Sequence, residues 1–210
     1  MQFDPVYIAL VIAIVLISMT IHEAMHGYVA FWLGDDTAER EGRLTLNPIK
    51  HIDPFLTIML PLILAIIGAP IFGGAKPVPF NPNRVKYEEF GAALVGLAGP
   101  LTNLVFAFVL FGIYALLGTP ADFAGQALLI AVYVNLGFFI FNMLPIPPLD
   151  GSRLLYALAP DGARRVMEVI EQQGLLIVFA IVFLFSSQIG VFILAAREII
   201  LRAFSALFGL

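Results

Sequence analysis

Long apolar segments leave this chain few ways to fold outside a lipid bilayer. Residues 5–21 contain no charged side chain, and similar segments cover about 91–117 and 124–144. A helix needs about 20 apolar residues to cross the hydrocarbon of a bilayer. Hydrophobic residues make up 60% of the chain and charged residues 12%, against roughly 45–50% and 25% in soluble domains. The sequence therefore predicts an all-α polytopic membrane protein.

We expect one membrane domain over residues 1–210, since no polar stretch is long enough for a second domain. Its core covers about residues 5–160, and C-terminal helices cover about 161–210. About five to six membrane segments are predicted, at 5–33, 54–72, 91–117, 124–144, 174–185 and 189–207. Polar and apolar residues alternate in Arg43–Asn47, which predicts a short membrane-associated β-element near residues 42–48. This element is a candidate edge strand for pairing with an extended substrate.

The first segment carries a chemically distinctive motif, His22-Glu23-Ala24-Met25-His26. In a helix the two histidines lie one turn apart on the same face. In the H-E-x-x-H arrangement both histidines bind one zinc ion, and the glutamate acts as general base on the metal-bound water. Alternatively, the group is a buried polar cluster or part of a proton or ion pathway, because ionisable groups inside membranes are usually functional. Without cysteine, thiolate metal sites and thiol catalysis are excluded.

A catalytic zinc site takes three protein ligands and keeps one position open. Besides His22 and His26, the chain offers His51 in a polar loop and Asp150 at the end of an apolar segment. Asp150 is the better candidate, because an unpaired carboxylate at that position costs about 2.5–3.5 kcal/mol and coordination removes the cost. We therefore expect one Zn²⁺ per chain.

Bringing Asp150 to the histidines constrains the topology. The ends of the first and fourth segments must lie on one face of the membrane, so the second segment is predicted to be re-entrant. Nine of the eleven basic residues then share that face, and the opposite loops, 1–4 and 118–123, contain none. By the positive-inside rule this face is cytoplasmic. Arg202 can reach the same side by snorkelling, which leaves Arg197 as the one charge that the arrangement does not explain. The nine residues are Arg40, Arg43, Lys50, Lys76, Arg84, Lys86, Arg153, Arg164 and Arg165.

The ordered motifs resemble those of the site-2 proteases, in the short bacterial and archaeal form without a PDZ domain. The resemblance covers roughly residues 18–155. It rests on the His22–His26 motif and on three further stretches: Gly34–Thr37 through Asn47-Pro48, Gly96–Pro100 with Asn103, and Asn142 through Pro145, Pro147-Pro148, Leu149, Asp150 and Gly151.

This resemblance implies a zinc-dependent intramembrane endopeptidase that cleaves transmembrane substrates near the cytoplasmic side. It implies that His22, His26 and Asp150 bind zinc, that Glu23 is the general base, and that Asn142 binds the oxyanion or the substrate backbone. The expected partners are a transmembrane protein or peptide and the lipid bilayer of the cell membrane, with no nucleic acid. A metal or proton transporter is the alternative from another class, although the chain lacks the repeated halves typical of transporters. A non-catalytic relative is a second alternative, against which the intact ligand set argues.

Overall fold

The structure is a computed structural model that describes residues 4–70 and 72–210. Part of the predicted N-terminal loop, residues 1–3, and Ile71 of the predicted second segment lie outside these ranges. The described chain is helical, with short 3₁₀ and π-helical turns in its connections. The α-helices are α1 Pro5–Trp32, α2 Thr37–Arg40, α3 Leu60–Ile66, α4 Glu88–Leu116, α5 Phe123–Asn142, α6 Gly151–Leu158, α7 Asp161–Gln172 and α8 Gly174–Phe208.

Four helices in the described ranges are long and apolar enough to cross a bilayer: Pro5–Trp32, Glu88–Leu116, Phe123–Asn142 and Leu176–Phe208. Two of them begin at side-chain caps. Asp4 accepts a hydrogen bond from the backbone nitrogen of Val6, and Asp122 accepts one from Gly125. These caps satisfy backbone donors that the first turn of a helix leaves free. The all-helical, membrane-type architecture predicted from composition is confirmed.

The helices α1, α4 and α5 form the centre of the fold, and neighbours run in opposite directions. The backbone nitrogen of Lys86 donates to the carbonyl of Leu33 at 2.9 Å, so α4 begins where α1 ends. A short turn over residues 117–122 then returns the chain into α5. As a result α1 and α5 are parallel, and their C-terminal ends lie together. We call this the site end of the molecule, and the opposite end, where α4 finishes and α5 begins, the far end.

The last helix, α8, runs from the site end to the far end. Gly174 packs against Pro148 at its start, and Phe204 and Phe208 pack against Phe108 and Phe111 of α4 near its end. A hydrophobic core between α4, α5 and α8 extends from Ile140, close to the site end, toward the far end; its buried residues are Ala107, Phe111, Val132, Leu136, Ile140 and Phe204.

The predicted boundary between residues 174–185 and 189–207 coincides with a kink in α8, where Phe185 has non-helical backbone angles (φ −118°, ψ 20°). Both parts of α8 continue in one direction across this kink. The assignment of Arg202 to the site end is wrong, because Phe204, two residues further on, packs against Phe108 and Phe111 near the end of α4. Arg197 and Arg202 both lie toward the far end.

The second predicted segment forms a π-helical turn, Pro54–Met59, followed by α3. These 13 residues span roughly 20 Å at 1.5 Å per residue, less than the hydrocarbon thickness of a bilayer. The chain comes back beside its own start, since the nitrogen of Gly74 donates to the carbonyl of Leu56 at 3.1 Å and the hydroxyl of Thr57 donates to the carbonyl of Gly74 at 2.6 Å.

The predicted β-element near residues 42–48 is not confirmed. All of these residues are described, and they form a turn and an irregular connection rather than a strand. The guanidinium of Arg43 is buried and donates to the carbonyl of Lys76 at 2.8 Å. Side-chain contacts of this kind, and not a β-ladder, hold the segment against the loop over residues 72–81.

Candidate metal centre

The two motif histidines lie in the buried half of α1. Residues up to Ile17 are mostly exposed, whereas Ser18, Thr20, His22 and His26 are buried. The change coincides with the level at which α1 packs against α4, where small residues such as Ala98 and Gly99 allow the helices to approach closely. Packing therefore removes the imidazoles from lipid.

Hydrogen bonds fix the orientation of both rings. The Nδ1 of His26 lies 2.7 Å from the carbonyl oxygen of Val95, which can only accept, so this nitrogen carries the proton. The Nδ1 of His22 lies 2.5 Å from Oδ1 of Asn103, whose amide group donates to Oδ1 of Asn135 at 2.8 Å. Asn135 in turn donates to the hydroxyl of Ser18 at 2.9 Å. In their neutral form both rings therefore carry the proton on Nδ1 and leave Nε2 free, which is the form that binds a metal.

The two Nε2 atoms converge with a carboxylate from a distant part of the chain. They lie 3.1 Å apart, and Oδ2 of Asp150 is 3.1 Å from Nε2 of His22 and 3.5 Å from Nε2 of His26. The residue that the sequence singled out as the third ligand thus lies beside both histidines.

This donor set fits a tetrahedral metal ion. Ligand atoms about 2.0–2.1 Å from a tetrahedral zinc lie roughly 3.3 Å from one another, close to the three separations above. Two lone pairs and a carboxylate facing one another also repel unless a cation lies between them. The opposite side of the site is formed by Gly99, where an added Cβ would lie 2.4 Å and 2.6 Å from the Nε2 atoms of His26 and His22. Glycine at this position leaves the space that the rings occupy.

Glu23 belongs to the same cluster. One ligand atom from each of His22, Glu23 and His26 lies within 4.8 Å of the others. The Oε2 atom of Glu23 accepts a hydrogen bond from the backbone nitrogen of Val78 at 2.9 Å. Val78 stands between Pro77 and Pro79, which lack backbone donors. The loop over residues 72–81 therefore orients the carboxylate through a single N–H group, a contact that the sequence analysis missed.

Buried polar groups attach this loop to the rest of the site end. The backbone nitrogen of Lys76 donates to the carbonyl of His51 at 2.9 Å. The carbonyl of Lys76 accepts a hydrogen bond from Arg43. Asp35, which is fully buried, accepts from the nitrogen of Asn81 at 2.5 Å. Burial raises the pKa of Asp35, but hydrogen bonds from Thr37 and Asn81 and the charge of Arg84 outweigh it, so the pKa lies below its ordinary value.

The remaining candidates differ in position. His51 is fully buried, and its Nε2 donates to the carbonyl of Thr45 at 2.8 Å, so it serves the loops rather than the cluster. The side-chain amide of Asn142 donates to the carbonyl of Phe138 in its own helix at 3.0 Å. Asn103 and Asn135 form the interhelical hydrogen bonds described above, as expected for amides inside a membrane protein.

Comparisons with known proteins identify the family of this chain. A sequence model of Peptidase family M50 matches residues 118–186. The chain is 41% identical over 206 residues to YwhC of Bacillus subtilis (strain 168), a candidate zinc metalloprotease, with 92% of this chain and 90% of the relative covered. The chain belongs to peptidase family M50. The resemblance to site-2 proteases drawn from the motifs is thereby confirmed.

More distant M50 relatives are longer than this chain. It is 36% identical over 173 residues to Rip2 of Mycolicibacterium smegmatis, and 32% identical over 178 residues to Rip2 of Mycobacterium tuberculosis (strain H37Rv), both also candidate zinc metalloproteases. These matches cover 80% and 83% of this chain and 64% of each relative. The chain thus spans slightly under two thirds of either Rip2 protein. No solved structure matches it.

Proposed function

We propose that this M50 peptidase is a zinc-dependent endopeptidase that cleaves peptide bonds of transmembrane substrates near the cytoplasmic side of the membrane. The observation that carries the proposal is the convergence of His22, His26 and Asp150, with three ligand atoms 3.1–3.5 Å apart. The relatives YwhC and Rip2 are named for the same metal and the same activity. His22, His26 and Asp150 are the zinc ligands in this proposal.

Zinc, when bound, lowers the pKa of water and polarises the carbonyl that is attacked. Two neutral imidazoles and one carboxylate contribute a single negative charge, so a dication leaves the site positive. The site therefore favours the negative charge that develops on the substrate oxygen. The Nδ1 hydrogen bonds to Asn103 and Val95 select the tautomer of each neutral histidine in which Nε2 faces the metal without a proton.

Glu23 moves the proton in this proposal. It takes a proton from the attacking water as general base and then donates it to the leaving amine. The hydrogen bond from Val78 holds Oε2 and leaves the second carboxylate oxygen for the water. Asn142 remains the predicted ligand of the oxyanion or of the substrate backbone. That role requires its amide to turn from the carbonyl of Phe138 toward the substrate.

The site opens toward the cytoplasm in this proposal, and residues 54–72 enter and leave the membrane on that side. The short helix α3 and the contact of Gly74 with Leu56 support re-entry. The basic residues support the orientation, because nine of eleven belong to loops and short helices at the site end. Cysteines introduced at Lys50 and Lys76 should react with a membrane-impermeant label from the same side. Labelling from opposite sides would contradict re-entry.

The proposal is tested with the full chain in lipid nanodiscs and a test transmembrane substrate. Glu23→Gln should retain zinc and lower the cleavage rate by about 10²–10⁴-fold, the range of general acid–base catalysis. Glu41→Gln, at an exposed position outside the cluster, is the matched control and should cleave normally. Chelation should abolish cleavage, and added zinc should restore it. Full cleavage by Glu23→Gln, or by the chelated protein, would refute the proposal.

A further inference from the structure

Arg43 is a buried cation in the connection that follows α2, and it is only 6% exposed. Within the described part of the chain its guanidinium donates to the backbone carbonyl of Lys76 at 2.8 Å, and its buried Nε has no hydrogen-bond partner. None of the ion pairs between described residues includes Arg43. A buried charge without a carboxylate partner destabilises a fold. Stability alone therefore does not explain this arginine.

Lys76, whose carbonyl accepts this hydrogen bond, lies close along the chain to the group that orients Glu23. Its own backbone nitrogen donates to the carbonyl of His51 at 2.9 Å, so both of its backbone polar groups are bonded. Two residues further on, the nitrogen of Val78 donates to Oε2 of Glu23 at 2.9 Å. Pro77 lies between them, and its ring fixes φ. A displacement of Lys76 therefore moves the N–H group that holds the carboxylate.

The residue after Arg43, Leu44, packs at the same place on α1 as Val78. A Cβ added to Gly27 would lie 2.7 Å from Cδ2 of Leu44 and 2.9 Å from Cγ1 of Val78. Both side chains therefore lie against the helix at this glycine, which directly follows His26. Arg43 and Leu44 thus connect one short segment to the loop over residues 72–81, the first by a hydrogen bond and the second by packing.

We propose that Arg43 is a positioning residue for cleavage: it holds Lys76 in place and, through Val78, fixes the carboxylate of Glu23 beside the metal centre. The proposal rests on the general-base role proposed for Glu23. A displacement of about 1 Å at a reacting group can lower a rate by about 100-fold, so a hydrogen bond that holds the loop affects the chemistry. Arg43 affects the rate of cleavage and not zinc binding, because its hydrogen bond goes to the loop and not to a zinc ligand.

The first test measures cleavage of a test transmembrane substrate by the full chain in lipid nanodiscs. Arg43→Met keeps a long side chain but donates no hydrogen bond, so kcat should fall by about 10–100-fold with unchanged KM and zinc content. Arg43→Lys should restore most of the rate, because its amino group can donate to the carbonyl of Lys76. Arg40→Met is the matched control and should cleave normally, since the side chain of Arg40 is 63% exposed. A higher KM with unchanged kcat in Arg43→Met would overturn the proposal.

Hydrogen exchange at the backbone N–H of Val78 provides a readout that does not depend on activity. Exchange should be faster in Arg43→Met than in the wild type and Arg40→Met, because the hydrogen bond to Glu23 is formed less of the time. Thermal unfolding of Arg43→Met should show no loss of stability, since an apolar side chain removes the cost of the unpaired charge. If Arg43→Met does not fold, Arg43→Gln replaces it, because its amide is shorter than the guanidinium. Unchanged exchange at Val78 would overturn the proposal.

A double variant tests whether Arg43 acts through Glu23. Glu23→Gln/Arg43→Met should cleave no more slowly than Glu23→Gln, because residues that act on one step have non-additive effects. A further fall as large as that caused by Arg43→Met alone would overturn the proposal. Normal cleavage by Arg43→Met beside a slow Glu23→Gln would refute this proposal and leave the proposed function intact. Full cleavage by Glu23→Gln would refute both.

Discussion

The two ends of the helical bundle are held together by different interactions. At the site end, buried polar groups connect α1, α4 and α5 through the chain from His22 to Asn103, Asn135 and Ser18. At the far end, aromatic rings of α4 and α8 pack edge-on or tilted, with centroids 5.1–6.0 Å apart. Hydrogen bonds constrain the direction as well as the distance between two groups. Apolar packing tolerates replacement of one hydrophobic side chain by another of similar volume. The chain therefore has geometric precision where the chemistry requires it.

The largest expected effect at the site end comes from Gly99→Ala. The new Cβ would lie 2.4–2.6 Å from the two Nε2 atoms, so both imidazole rings must move. Changes to groups that support metal ligands lower metal affinity by about 10–100-fold. We expect zinc affinity to fall by about 100-fold or more, because this change displaces the ligands themselves. Zinc affinity is measured by competition with a chelator. Gly137→Ala in α5 is the matched control, because nothing lies within 4 Å of its added Cβ. Equal affinity in the two variants would show that the site end is less rigid than we conclude.

At the far end, Phe204→Ala should lower stability and leave zinc binding unchanged. The loss of unfolding free energy should be smaller than the value of about 3–5 kcal/mol for the same change in the core of a soluble protein. Lipid tails are as apolar as the phenylalanine side chain, so the variant loses packing contacts but little hydrophobic stabilisation. Thermal unfolding in detergent measures it. Leu207→Ala is the control, since Leu207 is 72% exposed and Phe204 only 7%. A loss of zinc in Phe204→Ala would contradict the separation of the two ends.

The smallest effect on the zinc site is expected for Asn142→Ala, which should change only the rate of cleavage. If Asn142 binds the oxyanion, kcat should fall by about 10²–10³-fold with unchanged zinc content. If it only caps its own helix through Phe138, kcat should change little. We expect a fall, smaller than that of Glu23→Gln, because the amide must first leave its helical partner. Cleavage assays at saturating substrate distinguish the two results.

Much of the site could be predicted because its functional side chains are recognisable by their type and spacing. His22, Glu23 and His26 follow a one-turn spacing, and Asp150 is a carboxylate without an apparent partner in an apolar setting. The stretch Gly96–Pro100 belonged to the family resemblance, but the contact of Gly99 with the two imidazoles could not be predicted, since glycine carries no functional group and its space is used by side chains of another helix. The backbone N–H of Val78 is likewise invisible to a search for reactive side chains, although its flanking prolines were a signal that could have drawn attention to it.

The fold was predictable in its class and less so in its divisions. Continuous apolar sequence predicted membrane helices, and the predicted boundary after Phe185 coincides with the kink in α8. The alternation at Arg43–Asn47 suggested a strand, yet Arg43 is buried against the carbonyl of Lys76. Tertiary contacts with the loop over residues 72–81 outweighed a weak local preference in this case.

The central claim is that side chains 128 residues apart complete one zinc site, and zinc content tests it most directly. Zinc per chain is measured after identical purification of the wild type, Asp150→Ala, Glu23→Gln and Asp161→Ala, the last an exposed carboxylate at the start of α7. We predict about one zinc ion per chain in the wild type, Glu23→Gln and Asp161→Ala, and a marked loss in Asp150→Ala. Full zinc occupancy in Asp150→Ala, with affinity equal to the wild type, would contradict the account.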